Sequence, residues 1–83
     1  MKKYLVHVYV PSISTHYDVY LPTGKQVGEA AKLLIGMVES LSGGSYKGTA
    51  NSSLLKGHNG VSLSLNDTIY DAGVRNSTKL ILV

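Results

Sequence analysis

The chain contains no cysteine in its 83 residues. That excludes disulfide frameworks, thiolate metal sites, iron–sulfur clusters and cysteine nucleophiles, and it accords with a reducing compartment. Its apolar runs are far shorter than the ~20 residues of a membrane-spanning helix, so direct membrane insertion is not expected. Lys2 and Lys3 ahead of Tyr4-Leu5-Val6 imitate the start of a signal peptide. His7 and Tyr9 interrupt that stretch, Pro11 ends it and no small-residue cleavage site follows, so it reads as a strand of a cytoplasmic protein. Arginine is nearly absent. Arg75 stands alone, and the lysines are scattered at positions 2, 3, 25, 32, 47, 56 and 79. A formal charge of +3 distributed in this way reads as solubilising surface charge. Nucleic-acid binders cluster their basic residues and favour arginine.

What is present is a globular composition with a 43% apolar share, and the length fits a single domain over residues 1–83. Tyr4 to Val10 alternates: Val6, Val8 and Val10 share one face, and Leu5, His7 and Tyr9 share the other. Tyr17 to Leu21 alternates again, with Tyr17, Val19 and Leu21 inward and Asp18 and Tyr20 outward. The short Pro11–His16 turn between them, with Ile13 as its apolar member, makes a hairpin. Thr23-Gly24-Lys25-Gln26 has capping-box spacing and predicts a helix from about Gly24 to Leu41. Its apolar stripe is Val27, Ala30, Ala31, Leu34, Val38 and Leu41, with Glu29 and Lys32 as an i,i+3 pair and Gly36 as a point of close strand approach.

Ser42 to Ser53 is rich in glycine and serine and predicts a flexible loop, with Tyr46 as a lone anchor. Leu54-Leu55-Lys56 reads as a short strand, Gly57-His58-Asn59-Gly60 as a turn, and Val61 to Leu65 as another short strand. Asn66-Asp67-Thr68 leads into a compact unit from Ile69 to Val74, with Asp67 as turn former and Asp71 as its cap. A polar turn (Arg75 to Thr78) precedes the closing strand Lys79-Leu80-Ile81-Leu82-Val83. A strand at a terminus frays unless tied into a sheet, which places it beside the first strand, parallel, at the sheet centre.

This order, and the residues of Leu63 to Val83, resemble the ubiquitin-like β-grasp fold. The segment Leu63-x4-Thr68-Ile69-x-Asp71-x2-Val74-x5-Leu80-x-Leu82 is similar to the closing segment of ubiquitin. The variant Asp71-Ala72-Gly73-Val74-Arg75 followed by Lys79-Leu80-Ile81-Leu82, with Val19-Tyr20-Leu21-Pro22 ahead of the helix, is more similar to the YukD/EsaB family of type VII secretion systems in Gram-positive bacteria. The resemblance implies an α+β fold: a mixed sheet of four to five strands with one main helix packed on one face. It also implies an accessory or regulatory role in secretion, and as partner a protein such as the cytoplasmic part of a membrane secretion component. Conjugated ubiquitin-like proteins carry their chemistry on a tail ending in Gly-Gly. Val83 is followed by no such tail, so activation and conjugation are not expected.

Candidate chemical constellations read blandly. There is no G-x-S-x-G elbow to make a nucleophile of any serine, and no catalytic residue is expected. His7, His16 and His58 lack ligand spacing. His7 and His16 approach across the hairpin as two ligands at most, so neither metal nor cofactor is expected. Gly24-Lys25 lacks the flanking residues of a phosphate loop. Asn51-Ser52-Ser53, Asn66-Asp67-Thr68 and Asn76-Ser77-Thr78 fit the glycosylation pattern but read as turn chemistry.

The outward sheet face carries the functional expectation. Leu5, His7, Tyr9, Tyr20, Ile81 and Val83, with Ile13 at the adjoining loop tip, form an expected protein-binding patch, because an antiparallel outer face is ordinarily polar. A homodimer, or the Ser42–Ser53 loop, would cover the same face. The expected function is a non-enzymatic protein-binding module; the alternative is a nucleic-acid-binding β-grasp module using Lys2, Lys3, Arg75 and Lys79.

Overall fold

The computed structural model describes residues 2–83. Strand β1 (Lys3–Val10) turns through a short 3-10 segment (Pro11–Ile13) into β2 (Thr15–Pro22). Helix α1 (Val27–Leu41) follows, then β3 (Leu54–Lys56) and β4 (Lys79–Leu82). The sheet order is β2-β1-β4-β3. β1 runs antiparallel to β2 and parallel to β4, and β3 is antiparallel to β4, so the sheet is mixed and its first and last strands are central.

Alternation on β1 decides the core. Val6, Val8 and Val10 are fully buried, as are Leu80 and Leu82 of β4. They pack with Val27, Ala30, Leu34 and Val38 of α1, and Ile69 and Val74 complete the cluster. One apolar stripe on the helix thus covers one face of the sheet. Tyr46 is buried as the expected anchor. Its hydroxyl lies 3.2 Å from the Ser52 Oγ and 3.5 Å from the Val83 carbonyl. The segment around it adds no helix or strand, and the Gly48 amide donates to Glu39 Oε2 at 3.0 Å. It therefore lies along the helix and does not cover the outer face of the sheet.

Several local expectations fail for identifiable reasons. The helix begins at Val27, three residues later than Thr23-based capping predicts, and no side chain caps it. Its first amides donate to another part of the chain: Val27 N–H to the Asp67 carbonyl at 2.8 Å and Gly28 N–H to that of Leu65 at 3.0 Å. Backbone oxygens thus fill the role a capping side chain would have had. Gly28 permits this approach, since a Cβ there would stand 3.3 Å from the Leu65 oxygen. Gly36 has open space around it, so no strand approaches there. Glu29 pairs with Lys25, which lies just ahead of the helix, at 3.6 Å, and not with Lys32. Leu41, placed on the apolar stripe by spacing, is exposed.

Val61 to Leu65 is not a strand. A single bridge joins Ser62 to Leu55, and Val61 and Leu65 are exposed while Leu63 is buried. In the unit after it, Thr68 is the cap instead of Asp71: its Oγ1 accepts the Asp71 amide at 3.0 Å. Gly73 (φ +88°) closes that unit, with Gly73 N–H bonded to the Tyr70 carbonyl and Val74 N–H to that of Ile69. Gly43 (φ +63°) ends α1 by the same pattern, with Gly43 N–H to Ser40 and Gly44 N–H to Glu39. Both are Schellman closures, which require a left-handed residue that glycine adopts without penalty.

Candidate functional site: the outer face of the sheet

Register places the outer-face side chains in rows. Cross-strand partners point to the same side, so Leu5 stands beside Tyr20, His7 beside Asp18 and Lys79, and Tyr9 beside His16 and Ile81. Ile81 in turn faces Leu55 of β3. Val83, two residues beyond Ile81, is 48% exposed. Its backbone pairs with Ser53 through bonds of 3.0 and 3.1 Å.

The expected residues therefore share a face, with two changes. Ile13 does not belong to it: its side chain packs against the core from the 3-10 turn. The apolar patch is also not continuous. A polar row, Asp18–His7–Lys79, crosses it, and His7 Nδ1 lies 2.5 Å from Asp18 Oδ1. On one side of that row stand Tyr20 and Leu5. On the other stands the larger cluster of Tyr9, Ile81, Leu55 and Val83. The His16 ring packs on Tyr9 with centroids 4.5 Å apart.

Leu55 and His16 were missing from the sequence-based site. The run Leu54-Leu55-Lys56 is too short for alternation to tell inside from outside. Only its register with β4 turns Leu55 outward. His16 is the end of a turn in sequence, yet β2 begins at Thr15 and carries it onto the face.

A depression of about 250 Å³ opens beside the larger cluster, lined by His7, Tyr9, His16, Gly57, Lys79 and Ile81 among others. Gly57 keeps β3 close to β4 there: its amide donates to the Lys79 carbonyl at 2.8 Å. A Cβ on it would stand 2.8 Å from that oxygen. An apolar floor with an aromatic wall and a few polar groups at the rim suits insertion of a partner's side chain.

The Asp18 carboxylate holds the His7 ring, and no serine or threonine hydroxyl is hydrogen-bonded to that ring among the described residues. His7 and His16 sit on a diagonal, with His16 turned to Tyr9. Among the described residues no group of three or more His, Asp or Glu side chains is placed to hold a metal ion. No buried side-chain polar atom among them lacks a hydrogen-bond partner either.

The basic residues do not form one stripe. Lys3 and Lys79 lie on the outer face. Arg75 is folded into the closing turn instead. Its guanidinium lies 3.8 Å from the Tyr70 ring centroid and 6.0 Å from that of Tyr4. Its Nη1 donates to the Tyr70 and Val74 carbonyls at 2.8 and 2.7 Å. Arg75 is thus a brace for the turn, a cation over an aromatic face with hydrogen bonds holding it in place.

The three asparagines of the glycosylation-like triplets differ. Asn76 Oδ1 accepts the Leu5 amide at 3.1 Å and extends the β1–β4 ladder past Thr78. Asn51 and Asn66 are exposed in turns. No helix among the described residues is long and apolar enough to cross a membrane.

No protein-family model and no curated protein matches the sequence. Solved structures do. The chain is similar to the ubiquitin-like domain of the type VII secretion system protein ECCD1 of Mycobacterium tuberculosis, at 20% identity and TM-score 0.68, covering 100% of this chain and 99% of that one. It is similar to the EccD5 ubiquitin-like domain of Mycobacterium xenopi at 16% identity and TM-score 0.74, covering 100% and 94%. It is also similar to the ubiquitin of Caldiarchaeum subterraneum at 13% identity and TM-score 0.75, covering 98% and 91%. At these identities the likeness is one of fold. With its four-stranded mixed sheet and single covering helix, the chain has the α+β ubiquitin-like β-grasp fold.

Proposed function

We propose that this protein is a non-catalytic binding module that acts in the cytoplasm as an accessory or regulatory component of a bacterial type VII secretion system, in the manner of the YukD/EsaB family. A protein partner docks on the outer sheet face, and residues 1–83 act as one ubiquitin-like unit. The observation that carries the reading is the cluster of Tyr9, Ile81, Leu55 and Val83 beside the 250 Å³ depression. The solvent side of such a sheet is ordinarily polar, so a cluster of apolar and aromatic side chains there supports a contact surface. Two ubiquitin-like domains of type VII secretion proteins among the structural neighbours support the secretion context.

The test is capture from a lysate of the source organism on immobilised protein, with bound proteins identified by mass spectrometry. The reading expects a secretion-system component on the native protein and its loss from the Tyr9→Thr, Ile81→Thr double variant. Threonine keeps β propensity, so the variant's melting temperature stays within about 8 °C of the native value. Retention of the same component by the double variant removes the site. Absence of any secretion component from the native capture removes the context.

A further inference from the structure

Charge on the outer face is not balanced. The chain has five acidic residues, and Asp18 is the one that the described strands carry onto this face. Its carboxylate is already engaged by the His7 ring. Lys3 and Lys79 share the face, and neither is paired with a carboxylate among the described residues. His16 is exposed and rests on Tyr9, also without an acidic partner among them. The surplus is positive, and it gathers around the 250 Å³ depression. Lys79, His7 and His16 all line it, beside Tyr9 and Ile81.

The Asp18–His7 bond settles which ring nitrogen can change. An ionised carboxylate only accepts, so Nδ1 carries a hydrogen and donates to Asp18 Oδ1. The neutral ring then has its lone pair at Nε2, the nitrogen turned away from Asp18. A proton taken up from solvent goes there and makes Nε2–H a second donor. Histidine side chains change charge between about pH 5 and 8. With both rings neutral the rim of the depression carries one cation, and with both charged it carries three.

The neighbours of the two rings are few. His7 faces Asp18 from β2 and Lys79 from β4, with Tyr9 next on its own side of β1. His16 faces Tyr9. β3 brings Leu55 and, just beyond it, Gly57, neither of them charged, while Lys56 pairs with Leu80 and so turns to the inner side. His58, in the turn after β3, shares a second depression with Lys79. No carboxylate beyond that of Asp18 reaches the rim from any of these elements. A partner's carboxylate is the group that this rim lacks. The apolar cluster beside it calls for apolar neighbours in the same partner, which a free anion does not bring.

We propose, resting on the outer-face reading above, that the depression receives an aspartate or glutamate side chain of the protein partner, flanked there by apolar residues that lie on Ile81 and Leu55, and that this contact tightens as pH falls through the histidine range. Above that range Lys79 alone meets the carboxylate. Within it, His7 Nε2–H and the His16 ring join as charged donors, which make the stronger hydrogen bonds. The tightening ends where the partner's own carboxylate takes up a proton, at about pH 4.3 for glutamate. The contact is therefore strongest between about pH 4.5 and 6.

The experiment titrates isotope-labelled protein with the synthetic peptide acetyl-SLELS-amide and with its neutral twin acetyl-SLQLS-amide, at about pH 5.5 and about pH 8 and at constant ionic strength. Chemical shifts are read at Tyr9, Lys79 and Ile81. The glutamate peptide is expected to bind about fivefold more tightly than the glutamine peptide at the lower pH and about twofold at the higher. Lys79→Gln should bring the two peptides to equal affinity at the higher pH. The triple variant His7→Gln, Asp18→Asn, His16→Gln removes both rings and the carboxylate that His7 would leave unpaired. It should hold one ratio at both pH values. Equal binding of the two peptides to the outer face of the native protein overturns the proposal and leaves the docking face standing. Shifts confined to other surfaces overturn both. A native ratio that does not rise on acidification overturns the proposal, as does sodium acetate moving the same signals as far as the glutamate peptide at equal concentration. The native comparison stands even if the triple variant does not fold.

Discussion

β1 and β4 carry apolar residues on both sides, and the two sides of the sheet serve different ends. On the inner side Val6, Val8, Val10, Leu80 and Leu82 are shut away with the buried face of α1 in one apolar cluster. On the outer side Leu5, Tyr9 and Ile81 are only partly buried, and a charged row runs between them. Adjacent residues of one strand, Leu80 and Ile81, thus belong to different economies: the first is held by the fold, the second is left available to something outside it. Aliphatic character alone does not distinguish them; the position in the pleat does.

The sharpest way to expose the contrast is to truncate one of each. Leu80→Ala empties a fully enclosed site and should cost about 2–5 kcal/mol in urea denaturation. Ile81→Ala should cost well under half as much, because solvent already reaches that side chain. Similar losses at the two positions would mean that the outer face is structural.

Gly57→Ala tests the seam between the faces. Its Cβ would meet backbone atoms of Lys79 at 2.8 and 3.0 Å, so β3 must move, at a cost of about 1–3 kcal/mol. Loss of the depression beside Ile81 should follow, read as altered amide shifts at Tyr9 and Ile81. Tyr9→Thr with Ile81→Thr should cost about 1 kcal/mol of stability or less while removing partner binding. The smallest effect is a gain. Gly36 lies in the helix with nothing within 4 Å of a built Cβ, so Gly36→Ala should raise stability by about 0.5–1 kcal/mol. A loss there would place an unseen constraint on the exposed side of α1.

The alternation of Tyr4 to Val10 and of Tyr17 to Leu21 was legible because period two leaves no other pleat for those residues. The parallel pairing of first and last strands followed from the need to anchor a terminal apolar run, and His7 does stand beside Lys79. The body of the helix was legible for the same reason as the strands, its start was not. Thr23 and Gln26 have the right spacing for a cap, but residues 65–67 reach the helix first, and nothing local in the sequence announces a backbone cap from so far along the chain. Val61 to Leu65 alternates as a strand would, yet only one bridge forms, and Val61 and Leu65 are left in solvent.

The membership of the outer sheet face was half legible. Alternation gave its β1, β2 and β4 members. It missed Leu55, which register alone assigns, and it placed Ile13 there, although the 3-10 turn folds that side chain toward the core. The charged row was hidden in plain sight. Asp18, His7 and Lys79 come from three strands, and no linear pattern shows that they stand side by side.

The backbone cap of α1 makes two amides into reporters of a distant event. Val27 and Gly28 are held by the carbonyls of Asp67 and Leu65, so their hydrogens can exchange with solvent only when residues 65–67 lift away. Hydrogen exchange at those two amides should therefore track the opening of the later half of the chain, at a free energy set by that half and not by fraying of the helix. A ligand that clamps the 65–70 segment would slow both amides together, even though it touches neither.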